Sequence, residues 1–120
     1  MKPSDSEVKE FWEWCGIKHP TPKQAPIARD VVEWWLYPDG DILCELPPID
    51  LNNIFLYAAP KLGWFKVLFE HVEVSCDYYV TLTDFYLAQP CKEYEATNKD
   101  PALALFWTIY SLIKEAKHEA

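Results

Sequence analysis

Three side chains in the middle of the sequence, His71, Cys76 and Asp84, have the types needed for nucleophilic catalysis. In such a set a base activates the thiol, and a carboxylate orients the base. No glycine-rich turn surrounds Cys76, and the neighbouring residues follow the alternating pattern of β-hairpins. We therefore interpret His71 as a hydrogen-bonded structural residue, and the sequence predicts no catalytic residue.

A cluster of carboxylates in the first half of the chain offers the oxygen ligands that Ca²⁺ and Mg²⁺ prefer. Its members are Asp39, Asp41, Glu45 and Asp50. The further oxygen ligands that a calcium loop needs at fixed positions are missing, so we interpret the segment as a turn. The three glycines all stand at capping or turn positions and form no phosphate-binding loop. We predict neither a metal nor a cofactor.

The aromatic residues are the most unusual feature of the composition, with six Trp and seven Tyr in 120 residues. Trp14 lies off the apolar stripe of the first predicted helix, and Trp35 and Tyr37 share the Glu33 face of the first predicted strand. Because aromatic side chains are enriched at binding hot spots, we predict that Trp14, Trp35 and Tyr37 bind a protein partner. Alternatively, a second layer of helices buries Trp35 and Tyr37.

Composition and charge exclude several classes of function. The net charge of −8 argues against a nucleic-acid or anionic-membrane ligand, either of which favours a basic patch. The chain has no apolar run of about 18 residues, as a membrane-spanning helix would need, and no signal-peptide core follows its first residues. We expect one cytoplasmic domain over residues 1–120.

The four cysteines form no CxxC pair and are predicted to be reduced packing residues. They are Cys15, Cys44, Cys76 and Cys91.

Capping residues and apolar periodicity predict three helices. Ser4 opens a capping box before a helix over residues 5–15. Asp50 caps a second helix, which Pro60 should kink or end. The third covers residues 100–117 and is so apolar that most of its circumference must be covered. The predicted buried stripe of the second helix consists of Leu51, Ile54, Phe55, Ala58 and Leu62.

Alternating apolar residues predict the strands. Residues 31–46 form a hairpin that turns at Pro38-Asp39-Gly40-Asp41 and places Cys44 on its core face. Further strands are expected at residues 65–69, 72–76, 78–83 and 92–96. The apolar parity changes near Glu70 and His71, which predicts a bulge or turn there. The order α-β-β-α-β-β-β-α predicts an α+β fold, an α/β/α sandwich in which an antiparallel sheet of about four or five strands packs with three helices.

Three segments together resemble a known family. They are Phe11-Trp12-Glu13-Trp14-Cys15-Gly16, Asp50-Leu51-Asn52-Asn53-Ile54-Phe55 and Asp100-Pro101-Ala102-Leu103-Ala104-Leu105-Phe106-Trp107. In this order of elements the chain resembles the phage α/β/α (ABA) sandwich domain family of small phage and prophage proteins. The resemblance implies an antiparallel sheet between helical layers and a viral or prophage origin. That family has no established activity, so the resemblance assigns no functional residue.

Two functions follow as hypotheses. The first is a non-enzymatic protein-binding or accessory module, such as a host-interaction or anti-defence factor, that docks onto a host protein, a phage protein or itself. The second is a small ligand-binding domain or enzyme with an aromatic-lined pocket, in which His71 or Cys76 would meet carboxylates.

Overall fold

A computed structural model describes residues 1–20, 34–86 and 89–119, and these ranges form four helices and five strands. The predicted α+β class is confirmed. The helices are α1 (Asp5–Trp14), α2 (Leu51–Tyr57), α3 (Ala59–Leu62) and α4 (Pro101–Glu119). The strands are β1 (Trp35–Leu36), β2 (Ile42–Leu43), β3 (Phe65–Val72), β4 (Asp77–Tyr86) and β5 (Gln89–Asn98).

The chain divides into two compact units, Pro3–Pro48 and Ile49–Ala120, and the second also includes Met1–Lys2. We call them the N-terminal unit and the C-terminal unit. The predicted strands do not join in one sheet, because β1 and β2 form a two-stranded sheet while β3, β4 and β5 form a three-stranded one. The single domain remains a prediction.

Helix α1 begins where the sequence predicts. The Glu7 amide donates to Ser4 Oγ at 3.2 Å, and the Ser4 amide donates to Glu7 Oε1 at 2.9 Å, which completes the predicted capping box. The helix ends at Trp14 with Cys15 as its C-cap. The apolar residues Phe11, Trp12 and Cys15 at its C-terminal end are all buried.

The hairpin of the N-terminal unit is confirmed in a shorter form. Trp35 pairs with Leu43 and Leu36 with Ile42 across a turn in which Gly40 adopts φ 96°. The beginning of the predicted strand, residues 31–33, lies outside the described residues. The prediction that Cys44 lies on a core face is wrong, since its side chain is exposed. The reason is that β2 already ends at Leu43, so strand alternation no longer sets the direction of Cys44.

The second predicted helix is divided in two. Asp50 Oδ1 accepts from the Asn53 amide at 2.7 Å and caps α2, as predicted. Helix α2 ends at Tyr57. Pro60 stands in the first turn of α3, where backbone N–H groups have no partner within the helix, so the missing N–H of proline breaks no hydrogen bond. The predicted stripe is corrected at Phe55, which is 43% exposed. Ile54 and Ala58 of the same predicted stripe are buried, while Leu51 and Leu62 are partly exposed.

The three-stranded sheet is antiparallel in the order β3-β4-β5. Strand β3 pairs with β4 without interruption from Phe65 opposite Asp84 to Val72 opposite Asp77. The bulge or turn predicted near residues 70–71 is therefore wrong, and residues 73–76 of the predicted strand 72–76 form the turn to β4 instead. The only register shift of the described pairing lies between Asp84 and Phe85, on the β5 side of β4.

Helix α4 covers one face of this sheet, which we call the inner face. Asp100 Oδ1 accepts from the Ala102 amide at 2.8 Å and caps the helix. Val80 and Leu82 of β4, which point to the inner face, are fully buried. The buried positions of α4 occupy most of its circumference: Ala102, Ala104, Leu105, Phe106, Thr108, Ile109, Tyr110 and Ile113. In the described ranges no helix is both long enough and apolar enough to cross a membrane.

Candidate protein-binding surface

The structure places Trp14, Trp35 and Tyr37 in three different environments of the N-terminal unit. Tyr37 is only 4% exposed, and its hydroxyl donates to the Glu45 carbonyl at 2.6 Å. Of the two alternatives for this residue, burial is the observed one. Trp14 and Trp35 are both partly exposed. The predicted trio is therefore not a continuous exposed aromatic surface.

A histidine that the sequence did not single out accompanies Trp35. The rings of His19 and Trp35 stack with their centres 3.9 Å apart. His19 Nδ1 donates to the Trp34 carbonyl at 2.8 Å, which fixes the plane of the ring. This stacking occupies one side of the Trp35 ring and reduces what Trp35 can offer to a partner.

The candidate nucleophile set is not assembled. His71 pairs with Tyr78 across the hairpin, and their rings lie 4.9 Å apart. Cys76 is exposed in the turn that joins β3 to β4. Asp84 lies at the other end of β4, roughly 20 Å from Tyr78 at the rise of an extended strand. His71, Cys76 and Asp84 therefore do not form a catalytic group in this fold.

Two carboxylates in the first half of the chain, Asp39 and Asp50, bond to the backbone of a turn and of a helix start. Asp39 Oδ1 accepts from the Asp41 amide at 3.0 Å inside the hairpin turn. Asp50 is the N-cap of α2. Across the ranges that the structure describes, no group of three or more His, Cys, Asp or Glu residues is placed to hold a metal ion.

The cysteines differ from the prediction in burial. Cys15, Cys44 and Cys76 are thiols outside any disulfide. Only Cys15 among these three is a buried packing residue, because Cys44 and Cys76 follow the ends of strands. The side chain of Cys91 lies outside the described part of the chain.

Electrostatic contacts between β5 and α4 organise one edge of the C-terminal unit. Lys92 Nζ contacts Glu115 Oε1 at 2.6 Å, and this contact, followed by a hydrogen bond from Tyr94, lowers the pKa of Glu115. Burial, followed by the hydrogen bond to Glu115, raises the pKa of Tyr94 to about 12. On the other sheet face, the Tyr79 hydroxyl donates to Glu95, and this bond raises the pKa of Tyr79. These contacts secure β5 and leave it with a polar, acidic surface.

The opposite edge of the sheet is apolar and exposed. Trp64 is 61% exposed, Leu68 is 46% exposed and Val72 is 45% exposed. Strand alternation places these residues on the outer sheet face, away from α4. Phe69, on the inner face, is 37% exposed. We call these four residues, together with the outward backbone groups of β3, the β3 edge surface.

The backbone of β3 has a free side in the described sheet. The Phe85 amide donates to the Trp64 carbonyl at 3.1 Å, so the residue pair 64 and 85 is a hydrogen-bonded pair. Because bonding direction alternates along an antiparallel strand, residues 66, 68, 70 and 72 also direct their backbone groups to β4. Phe65, Val67, Phe69 and His71 then direct theirs away from the sheet. In the described pairing no strand adjoins them on that side.

An apolar cleft lies behind this edge, between α2, α3, α4 and β3. It is too narrow to hold even a water molecule, and Ile54, Leu62, Phe65, Leu105 and Ile109 contribute to its lining. Sites for drug-sized ligands usually measure roughly 300–1,000 Å³ and include converging polar groups. His71 and Cys76 do not line this cleft. It is a narrow gap in the apolar packing and not the aromatic-lined pocket of the second hypothesis.

Sequence reasoning missed the β3 edge surface, although the sequence contained a signal for it. The apolar residues change parity at Glu70 and His71, a pattern that also predicts a bulge or turn. In an unbroken strand, the same change means that both faces carry apolar residues towards the hairpin end. An edge strand that lacks a covering layer at that end has this pattern.

Comparisons with known proteins add no relative: no protein-family model matches the chain, and neither a curated protein nor a solved structure matches it.

Proposed function

We propose that this chain is a non-enzymatic protein-binding accessory module, and that its partner docks on the β3 edge surface. The observation that supports the proposal most strongly is the coincidence of two features on one strand. Backbone donors and acceptors at Phe65, Val67, Phe69 and His71 face outwards, and exposed apolar side chains flank them on both sheet faces. A partner strand would satisfy the backbone groups and cover the apolar side chains together.

The biological setting of the proposal is a small phage or prophage protein that acts in the cytoplasm of its host, as a host-interaction or anti-defence factor. Its support is the resemblance of the element order and helix starts to the phage α/β/α sandwich family. The net charge of −8 also favours a protein partner over a nucleic acid.

Site-specific photocrosslinking in a producing bacterial cell tests the proposal. A benzophenone amino acid replaces Leu68 in one variant and Glu93 in a control variant. Both positions lie on the outer sheet face, but Glu93 lies on the acidic strand β5. We expect protein adducts from position 68 and at least tenfold fewer from position 93, where the acidic surface disfavours contact.

The mass of the adduct identifies the partner class. An adduct of two identical chains and an adduct with another protein both support a protein-binding module. Equal or absent crosslinking at the two positions contradicts the proposed use of β3.

A further inference from the structure

We propose that the occupant of the β3 edge surface is a second copy of this chain, which pairs antiparallel with β3 so that Leu68 lies opposite Leu68 of the second copy. This inference rests on the proposed function and specifies the partner. A two-fold axis perpendicular to the sheet at Leu68 generates the arrangement, in which the two three-stranded sheets become one continuous sheet.

Charge complementarity favours a second copy as the partner and favours this register of the two β3 strands. With Leu68 on the axis, Lys66 lies opposite Glu70 of the second copy, and Glu70 lies opposite its Lys66. Both residues point to the outer face, and both are exposed. Within the described ranges neither side chain forms an ion pair in the single chain. The dimer thus contains two Lys66–Glu70 ion pairs, each between side chains at cross-strand distance.

The apolar residues fit the same register. Leu68 meets Leu68 of the second copy in a non-hydrogen-bonded pair, where side chains approach most closely. Trp64 lies opposite Val72 of the second copy on the outer face, and Val67 lies opposite its Phe69 on the inner face. The exposed residues Trp64, Leu68, Phe69 and Val72 therefore all gain apolar cross-strand neighbours.

The backbone groups also match. Phe65, Val67, Phe69 and His71 face outwards, and this register pairs Phe65 with His71 and Val67 with Phe69 of the second copy. All of these are hydrogen-bonded pairs, so the interface forms about eight backbone hydrogen bonds. Shifting the axis by one residue in either direction places Lys66 and Glu70 opposite apolar residues. Such registers keep the backbone bonding but lose the charge complementarity.

Strand β5, the other edge of the described sheet, shows the opposite design. Glu93 and Glu95 occupy successive outer-face positions, and both are exposed. Pairing β5 with a second β5 near its centre would place glutamates opposite each other. Like charges at an edge are a known means of preventing such pairing. The contrast makes β3 the edge that favours a second copy.

Charge reversal with mixing tests the inference. Lys66→Glu places two glutamates opposite each other at both ion pairs, and Glu70→Lys does the same with two lysines. We expect the dimer dissociation constant of each variant, measured by sedimentation equilibrium, to rise on the order of tenfold to a hundredfold over wild type. An equimolar mixture of the two variants restores both ion pairs, so it should form heterodimers of near wild-type affinity. The double variant Lys66→Glu/Glu70→Lys should dimerise as wild type does.

Two control variants separate this effect from net charge. Lys61→Glu on α3 and Glu45→Lys in the N-terminal unit change the charge by the same amounts at exposed positions outside the β3 edge surface. They should leave the dissociation constant within about threefold of wild type, because an exposed charge with no partner at the interface is screened. Circular dichroism of all variants checks that the fold is retained.

The outcomes distinguish the second copy from other occupants. A wild-type chain that stays monomeric at millimolar concentration, or a mixture that fails to rescue dimerisation, overturns the inference. If position 68 then still crosslinks to another protein, the proposed function stands with a different partner. If neither dimer nor crosslink forms, both proposals fail.

Discussion

At the scale of single residues, the clearest electrostatic unit is the trio of Lys92, Tyr94 and Glu115. Lys92 and Tyr94 both point to the inner face of the sheet, where they contact Glu115 near the end of α4. The trio joins the acidic edge strand β5 to the helix. It also gives α4 a second attachment besides its apolar side chains.

Replacing Glu115 by glutamine should lower the pKa of Tyr94 from about 12 but keep it above the ordinary value of 10.0. Burial, the largest cause of the shift, persists in the variant, whereas the charge of the carboxylate is lost. A pH titration of tyrosinate absorbance, with Tyr94→Phe to assign the signal, measures the change. An unchanged Tyr94 pKa would show that Glu115 does not contact the hydroxyl.

The pH dependence of folding follows from the same two shifts. The raised Tyr94 pKa contributes stability that is complete below pH 10.0 and is lost as the pH rises through about 12. The lowered Glu115 pKa contributes stability that is present above the ordinary value of 4.5 and is lost as the pH falls through the folded-state pKa. Glu115→Gln should weaken the loss of stability at high pH and remove the contribution of Glu115 to the loss at low pH.

At the scale of elements, α4 holds the C-terminal unit together. Ile109 is 1% exposed and lies at the cleft lined by α2, α3 and β3. We expect Ile109→Ala to lower the free energy of unfolding by about 2–5 kcal/mol, because it removes buried apolar groups and leaves a cavity in their place.

Urea denaturation measures this loss as a shift of the unfolding midpoint, with an unchanged slope of the unfolding free energy against urea concentration. Leu56→Ala is a suitable control, since Leu56 on α2 is 57% exposed and its truncation should cost no more than about 0.5 kcal/mol. Equal effects of the two substitutions would contradict the assignment of α4 as the core helix.

Elements whose ends depend on local chemistry could be predicted from the sequence. The caps at Ser4, Asp50 and Asp100 bond to amides within a few residues, so neighbouring sequence determines them. The interruption before Pro60 has an equally local cause.

Features that depend on distant packing could not be predicted in the same way. The burial of Tyr37, the exposure of Phe55 and the exposure of Cys44 depend on where layers begin and end. The apolar pattern around Glu70 is the same for a bulge and for an uncovered edge strand. Only the continuous pairing of β3 with β4 distinguishes these two explanations.

At the scale of the whole molecule, a net charge of −8 opposes non-specific association of copies. On β3 the residues Lys66, Leu68 and Glu70 overcome this repulsion locally, because they place one positive and one negative side chain on either side of an apolar one. Local complementarity within a repulsive background favours one arrangement over the others. The same reasoning explains why β5, with two glutamates on its outer face, should remain unpaired.

The most direct test of pairing at β3 is residue-resolved amide hydrogen exchange as a function of protein concentration. In dilute protein the amides of Leu68 and Glu70, which bond to β4, should exchange slowly, while those of Val67 and Phe69 should exchange rapidly. As the concentration rises, Val67 and Phe69 should become as protected as their neighbours, because their amides then donate to the second copy. Val67 and Phe69 amides that exchange rapidly at every concentration would contradict the account.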